Sequence, residues 1–271
     1  MSFDRAILGR TGIEVGRLGL AASYGAPGST VQQAFERGVN YFYWGSFRRN
    51  SFGDGLRALA PQRDRFLLVT QSYARLASLI APSLERALRA LRFDYTDALL
   101  LGLWNGVPSP RILDACRKLK ERGLVRFLAV STHNRPLIPQ LASDPQFDIF
   151  HVRYNAVHRG AEREVFPRLI AHNPPGLVSF TATSWRQLLG HKRLPHGEKI
   201  PTAGDCYRFV LTQPAVNVCM TGPANPAQFE HALEALRRGP MSDDELAWMR
   251  RVGDAIYGKP KAAGSQSTQA A

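Results

Sequence analysis

Eight short apolar runs recur along this chain, and most of the intervals between them have helical spacing. The runs lie at 18–22, 40–44, 66–71, 98–103, 126–131, 149–154, 178–183 and 216–220. Several read as near-continuous hydrophobic stretches, the pattern of strands buried on both faces. Between them, 29–38 opens on the N-cap candidates Ser29 and Thr30 and closes on Gly38. The stretch 83–91 places Leu84, Ala87, Leu88 and Leu91 on one helical face, and 112–123 repeats the pattern and ends on Gly123. The handedness of strand–helix–strand crossovers leaves either a closed eight-stranded barrel or an open doubly wound sheet. No GxGxxG follows the first strand, so the usual reason to choose the open sheet is missing. The expected fold class is α/β, a (β/α)8 TIM barrel.

Two pieces fall outside the eight units. The segment 5–16 has a turn at Arg10-Thr11-Gly12 flanked by Ile7, Leu8, Ile13 and Val15, and reads as an N-terminal β-hairpin. Ser242-Asp243-Asp244-Glu245 caps a C-terminal extra helix running to about Tyr257. Residues 1–258 are thus expected to form one barrel, and 259–271, rich in Lys, Ala, Gly, Ser and Gln, a disordered tail. A length of 271 residues suits this, since such barrels commonly need ~250.

Composition narrows the function classes. The formal charge of +13 favours anionic partners, but it comes from dispersed arginines without a block of like charge, which argues against a nucleic-acid surface. The three cysteines, Cys116, Cys206 and Cys219, form no CxxC pair, so no structural zinc or iron–sulfur site is expected. No apolar run reaches ~18 residues and no secretory signal opens the chain, so a cytoplasmic protein without a membrane span is expected.

More specific fragments then fall in order along 5–240. They are Leu8-Gly9-Arg10-Thr11-Gly12, Gly38-Val39-Asn40-Tyr41-Phe42, Ser83-Leu84-Glu85-Arg86 with Tyr95-Thr96-Asp97, Arg122-Gly123-Leu124-Val125-Arg126, Arg153-Tyr154-Asn155, and Pro214-Ala215-Val216 with Pro226-Ala227-Gln228. Together they resemble the aldo-keto reductases. The resemblance implies the barrel and an oxidoreductase that moves hydride from NADP(H) or NAD(H) to a carbonyl, with a tyrosine as proton donor tuned by lysine and aspartate and a histidine placing the carbonyl. In register with those fragments, the aspartate position is Tyr43, the tyrosine position Arg48, the lysine position Gln71 and the histidine position Gly102. A proton donor of suitable pKa must stand beside the carbonyl oxygen. With all four replaced, ordinary carbonyl reduction is expected to be negligible.

The resemblance assigns Ser131, Thr183, Ser184, Arg186, Gly222 and Gln228 to the cofactor. Ala224 and Ala232 stand where the family's ribose-phosphate arginine and adenine-reading asparagine would be. Ligand sites of such barrels lie at the carboxyl ends of the strands. Those ends also carry Trp44, Tyr73, Trp104, Asn105, Asn155 and Trp185, with His133, His151 and His158 as other candidate acids or bases. No carboxylate cluster lies among them, so no metal site is expected. Two functions stay open: a divergent reductase, or a non-catalytic barrel that binds a small anionic ligand or a protein partner.

Overall fold

A computed structural model describes residues 3–45, 50–169, 173–190, 194 and 196–258. The expected tail, 259–271, lies outside the described residues. Strands β1 (Ala6–Ile7) and β2 (Glu14–Val15) form the antiparallel hairpin, paired Ala6 to Val15 and Ile7 to Glu14. Gly12, at φ 69°, turns the chain between them.

Eight parallel strands follow: β3 (Leu18–Ala21), β4 (Tyr41–Trp44), β5 (Leu67–Ser72), β6 (Thr96–Leu101), β7 (Val125–Thr132), β8 (Ile149–Arg153), β9 (Gly176–Phe180) and β10 (Val218–Thr221). Each pairs with the next, and β10 pairs with β3 to close the barrel. Seven helices cover the outside: α1 (Gly28–Glu36), α2 (Asn50–Ala58), α3 (Ala77–Leu91), α4 (Pro110–Glu121), α5 (Leu137–Ala142), α6 (Ala161–Glu164) and α7 (Ala203–Thr212). Helix α8 (Pro226–Arg238) completes the ring, and α9 (Asp243–Tyr257) is the extra C-terminal helix. Among the described residues, no helix is long and apolar enough to cross a membrane.

Strand parity builds two cores. Tyr41, Leu67, Val69, Ala98, Leu100, Ala129, Ile149, Val178 and Val218 point inward and fill the barrel. Their neighbours Phe42, Leu68, Leu99, Leu128, Val130, Phe150 and Cys219 point outward under the helices. Leu8 and Val15 of the hairpin join the inner cluster, so the hairpin plugs the amino-terminal end of the barrel. All three cysteines are free and buried, as small hydrophobes.

The boundaries differ from expectation where tertiary contacts decide them. Helix α1 starts at Gly28, so Ser29 and Thr30 sit inside its first turn; Ser51 of α2 accepts the Gly28 N–H at 3.1 Å. Helix α3 starts six residues before the expected stripe and carries Pro82 inside it. Strand β9 stops at Phe180 because Thr181 turns left-handed at φ 57°. The C-terminal helix follows its local signal: the Ser242 side chain and Glu245 form a reciprocal capping box.

Candidate functional site

A cavity of about 780 Å³ opens at the carboxyl ends of the strands. Its wall includes Tyr43, Gln71, Ser131, His151, Thr183, Trp185, Arg186 and His231, and no carboxylate of the described residues lines it. The cationic and aromatic lining suits a neutral or anionic ligand. Among the described residues, no group of three His, Cys, Asp or Glu is placed to share a metal ion.

The floor is built from inward positions of β4, β5, β6 and β8. The Tyr43 hydroxyl donates to Gln71 Oε1. A Cβ at Gly102 would meet Gln71 Nε2 at 1.8 Å and Tyr73 Cε1 at 2.8 Å. The glutamine amide therefore occupies the space that a side chain at position 102 would need. Position 102 and position 71 are one sterically coupled unit: the missing side chain at one makes room for the carboxamide of the other. Beneath them, the Tyr41 hydroxyl and His151 Nε2 share a hydrogen bond of 2.8 Å. Full burial pushes the His151 imidazole down to about 3, so the ring is neutral at physiological pH. Burial, then the neighbouring Tyr43, pushes the Tyr41 phenol well above its ordinary range.

The turn after β9 forms the opposite wall. Ser184, Trp185 and Arg186 are successively left-handed, at φ 48°, 51° and 69°. Such a conformation costs side-chain-bearing residues about 1–2 kcal/mol each. It is pinned by Ser184 N–H to Thr181 O at 2.8 Å, Gln187 N–H to Ser184 O at 3.0 Å and Arg186 N–H to Thr183 Oγ1 at 3.3 Å. The outcome is an exposed Trp185 and Arg186 at the rim and a fully buried Ser184.

Residues singled out in the sequence divide accordingly. Tyr43, Gln71, Ser131, Thr183, Arg186, Gly222 and Gln228 come together around the cavity, as does Ala224. Ser184 is not brought there: its hydroxyl is buried without a protein partner among the described residues. Ser131 Oγ accepts the Leu103 N–H at 3.0 Å, holding the loop after β6. Asn155 is spent on the Thr181 carbonyl at 2.7 Å and the Val157 and His158 N–H groups at 3.0 and 2.8 Å. Gln228 Oε1 takes the Ala224 N–H at 2.8 Å and so shapes the loop entering α8. A Cβ at Gly222 would strike the Tyr24 ring at 2.2 Å, so that glycine admits an aromatic wall. Ala232 lies on the buried face of α8, whereas His231 faces the cavity. Trp44 is an outward position of β4, packed under the helices and not at the mouth. Arg48 lies outside the described residues.

Sequence reasoning missed Tyr24, Tyr207 and His231, which also line the cavity. They come from the turn after β3 and from α7 and α8, where no strand-end signal points to them.

Comparison with known proteins agrees with this architecture. The chain is similar in structure to the aldo-keto reductase AKR11C1 from Bacillus halodurans in its apo form, at TM-score 0.75 and 20% identity, covering 93% of this chain and 96% of that one. The same figures hold for the holo form of that protein. No curated protein matches in sequence. The profile of the Aldo/keto reductase family matches residues 28–185, more than half of the chain. On that match, this barrel belongs to the aldo/keto reductase family.

Proposed function

We propose that the barrel binds a small anionic ligand at its mouth and does not carry out the ordinary carbonyl reduction of its family. One observation carries this reading: the Gln71 carboxamide fills the space over Gly102 and holds the Tyr43 hydroxyl. Reduction of a carbonyl needs an acid whose proton is released as charge builds on oxygen. Here Tyr43 stands at the family's aspartate position, Arg48 at its tyrosine, Gln71 at its lysine and Gly102 at its histidine. No lysine or carboxylate among the described cavity residues is present to ease a proton from the phenol. His151 is neutral and already paired with Tyr41.

A nicotinamide poised for hydride transfer does not fit these residues. Ser131 and Asn155 hold loop backbone, and Gln228 serves the turn before α8. Arg186 and His231 instead offer a guanidinium and an imidazole at the cavity wall, groups of the kind that hold phosphates or carboxylates. They support the anionic-ligand half of the reading.

NADPH consumption with a panel of aldehydes and ketones tests the proposal. No turnover above the protein-free rate is expected. Turnover that disappears in Tyr43→Phe would overturn the reading by making Tyr43 the acid. Melting curves with NADPH and NADH then sort the ligand class. A nucleotide at a hundredfold excess over its Kd would stabilise the fold by about 2.7 kcal/mol. Unchanged curves with both would direct the search to non-nucleotide anions.

A further inference from the structure

The β7–β9 side of the mouth carries a second group of residues that the floor does not use. Arg153 ends β8 and is only partly buried. No hydrogen bond or ion pair engages its guanidinium among the described residues; it lies 5.7 Å from the centre of the Trp185 ring. Arg135, by contrast, is held by both oxygens of Glu164 at 2.9 and 3.0 Å. His158 packs edge-on to Trp185 and to Tyr257, each at 6.1 Å between centroids. His133, exposed at the end of β7, packs edge-on to Phe180 at 6.1 Å. The left-handed run at 184–186 puts the Trp185 ring near both Arg153 and His158, at 5.7 and 6.1 Å from its centroid.

Among the described residues, Arg153 thus has no counterion, and its neighbours are the Trp185 indole and the His133 and His158 imidazoles. Burial, then Arg153, lowers the His133 ring from its ordinary value, and burial followed by Arg153, Arg135 and His133 lowers His158. After burial, Arg153 is the largest influence against the charged form of either ring, and Glu164 is already committed to Arg135. Guanidinium and imidazole N–H groups both donate to oxyanions, and the guanidinium does so through a fork.

We propose that Arg153, His133, His158 and Trp185 form an oxyanion subsite that takes the carboxylate or phosphate end of a ligand whose body enters the cavity. Trp185 belongs to both, lining the cavity and backing Arg153. The subsite rests on the reading of the mouth as a ligand site. It fails separately, however: aldehyde turnover would sink that reading and leave the subsite standing. Binding tightens as pH falls through the histidine midpoints, because the anion prefers imidazolium. The other charged or titratable groups facing the pair are Arg135 with Glu164, and Tyr257 of α9.

Histidine ring signals, followed by NMR against pH in the full chain at fixed ionic strength, provide the test. His133→Gln and His158→Gln assign the two signals. Inorganic phosphate and benzoate are the probes, and chloride is the control. In the wild type either probe is expected to raise both midpoints, by about one pH unit. Response to phosphate alone or to benzoate alone would identify the source of the oxyanion. Arg153→Gln should raise the midpoints without ligand and weaken binding about tenfold, the scale of a charge-assisted hydrogen bond. Arg153→Lys keeps the charge and should retain most of the binding. Ring signals indifferent to both probes in the wild type, or an equal response in Arg153→Gln, would overturn the proposal.

Discussion

The two ends of this barrel use polar side chains in opposite ways. At the closed end, the carboxylates and amide at or near strand starts are held by backbone N–H groups and by cationic side chains. Asp97 accepts Arg63 at 2.7 Å, Arg126 at 2.9 Å and the Leu68 N–H at 2.9 Å. Asp148 accepts Lys120 at 3.1 Å and the Leu128 N–H at 2.8 Å. Asn217 accepts the Leu177 N–H at 2.7 Å and donates to Ile7 O at 2.9 Å, tying the hairpin to the sheet. At the mouth the balance reverses. Among the described residues, Arg153 has no counterion and the Ser184 hydroxyl no protein partner, and Leu103, Thr181 and 184–186 are left-handed. Strain and unpaired groups are tolerated where the rest of the fold over-determines the backbone. Stability is thus concentrated at one end and the capacity to bind at the other.

The largest expected effect tests the closed end. Asp97→Ala should destabilise the fold by about 3–4 kcal/mol, because it removes the counterion of the partly buried Arg63 and leaves the Leu68 N–H unpaired. Urea unfolding measures this as a lower midpoint with little change in slope. A loss below about 1 kcal/mol would mean that the closed end is not the stabilising one.

The next effect tests the floor. Gly102→Ala puts a methyl group where the Gln71 amide lies and must displace it. A cost of about 1–3 kcal/mol is expected, the range for overpacking. Pairing it with Gln71→Ala should recover part of that loss, since the obstructing amide is gone. Full additivity in the double-mutant cycle would break the claim that the two positions are one unit.

These two ends also differ in how far they could be read from sequence. Eight apolar runs and a turn sufficed for the barrel and its hairpin, because burial on both faces and local turn chemistry are written in consecutive residues. The Ser242 to Glu245 capping box was legible for the same reason. Trp44 was misplaced because its nearness to the strand end outweighed parity: Tyr41 and Tyr43 point in, so Phe42 and Trp44 must point out. The burial of Ser184 was not legible, because no local rule announces a left-handed run in residues other than glycine. His231 and Tyr207 reach the cavity only through the docking of α7 and α8, a tertiary fact without a spacing signature. The Gln71–Gly102 complementarity likewise joins two strands and is visible only in three dimensions.

The smallest effect separates strain from binding within the mouth. The Ser184 hydroxyl is buried and meets no protein partner among the described residues, so its desolvation is uncompensated by the chain. Ser184→Ala should leave the left-handed backbone in place, since its pinning bonds are made by main-chain groups and Thr183. The expected result is a urea midpoint unchanged or raised, corresponding to at most about 1 kcal/mol of stabilisation. Binding of phosphate near Arg153 should be unaffected, because a buried hydroxyl is not within the ligand's reach. A clear loss of stability would instead assign the hydroxyl a role in holding the turn. Weaker anion binding at unchanged stability would move Ser184 into the site and blur the line drawn here between the strained wall and the groups it presents.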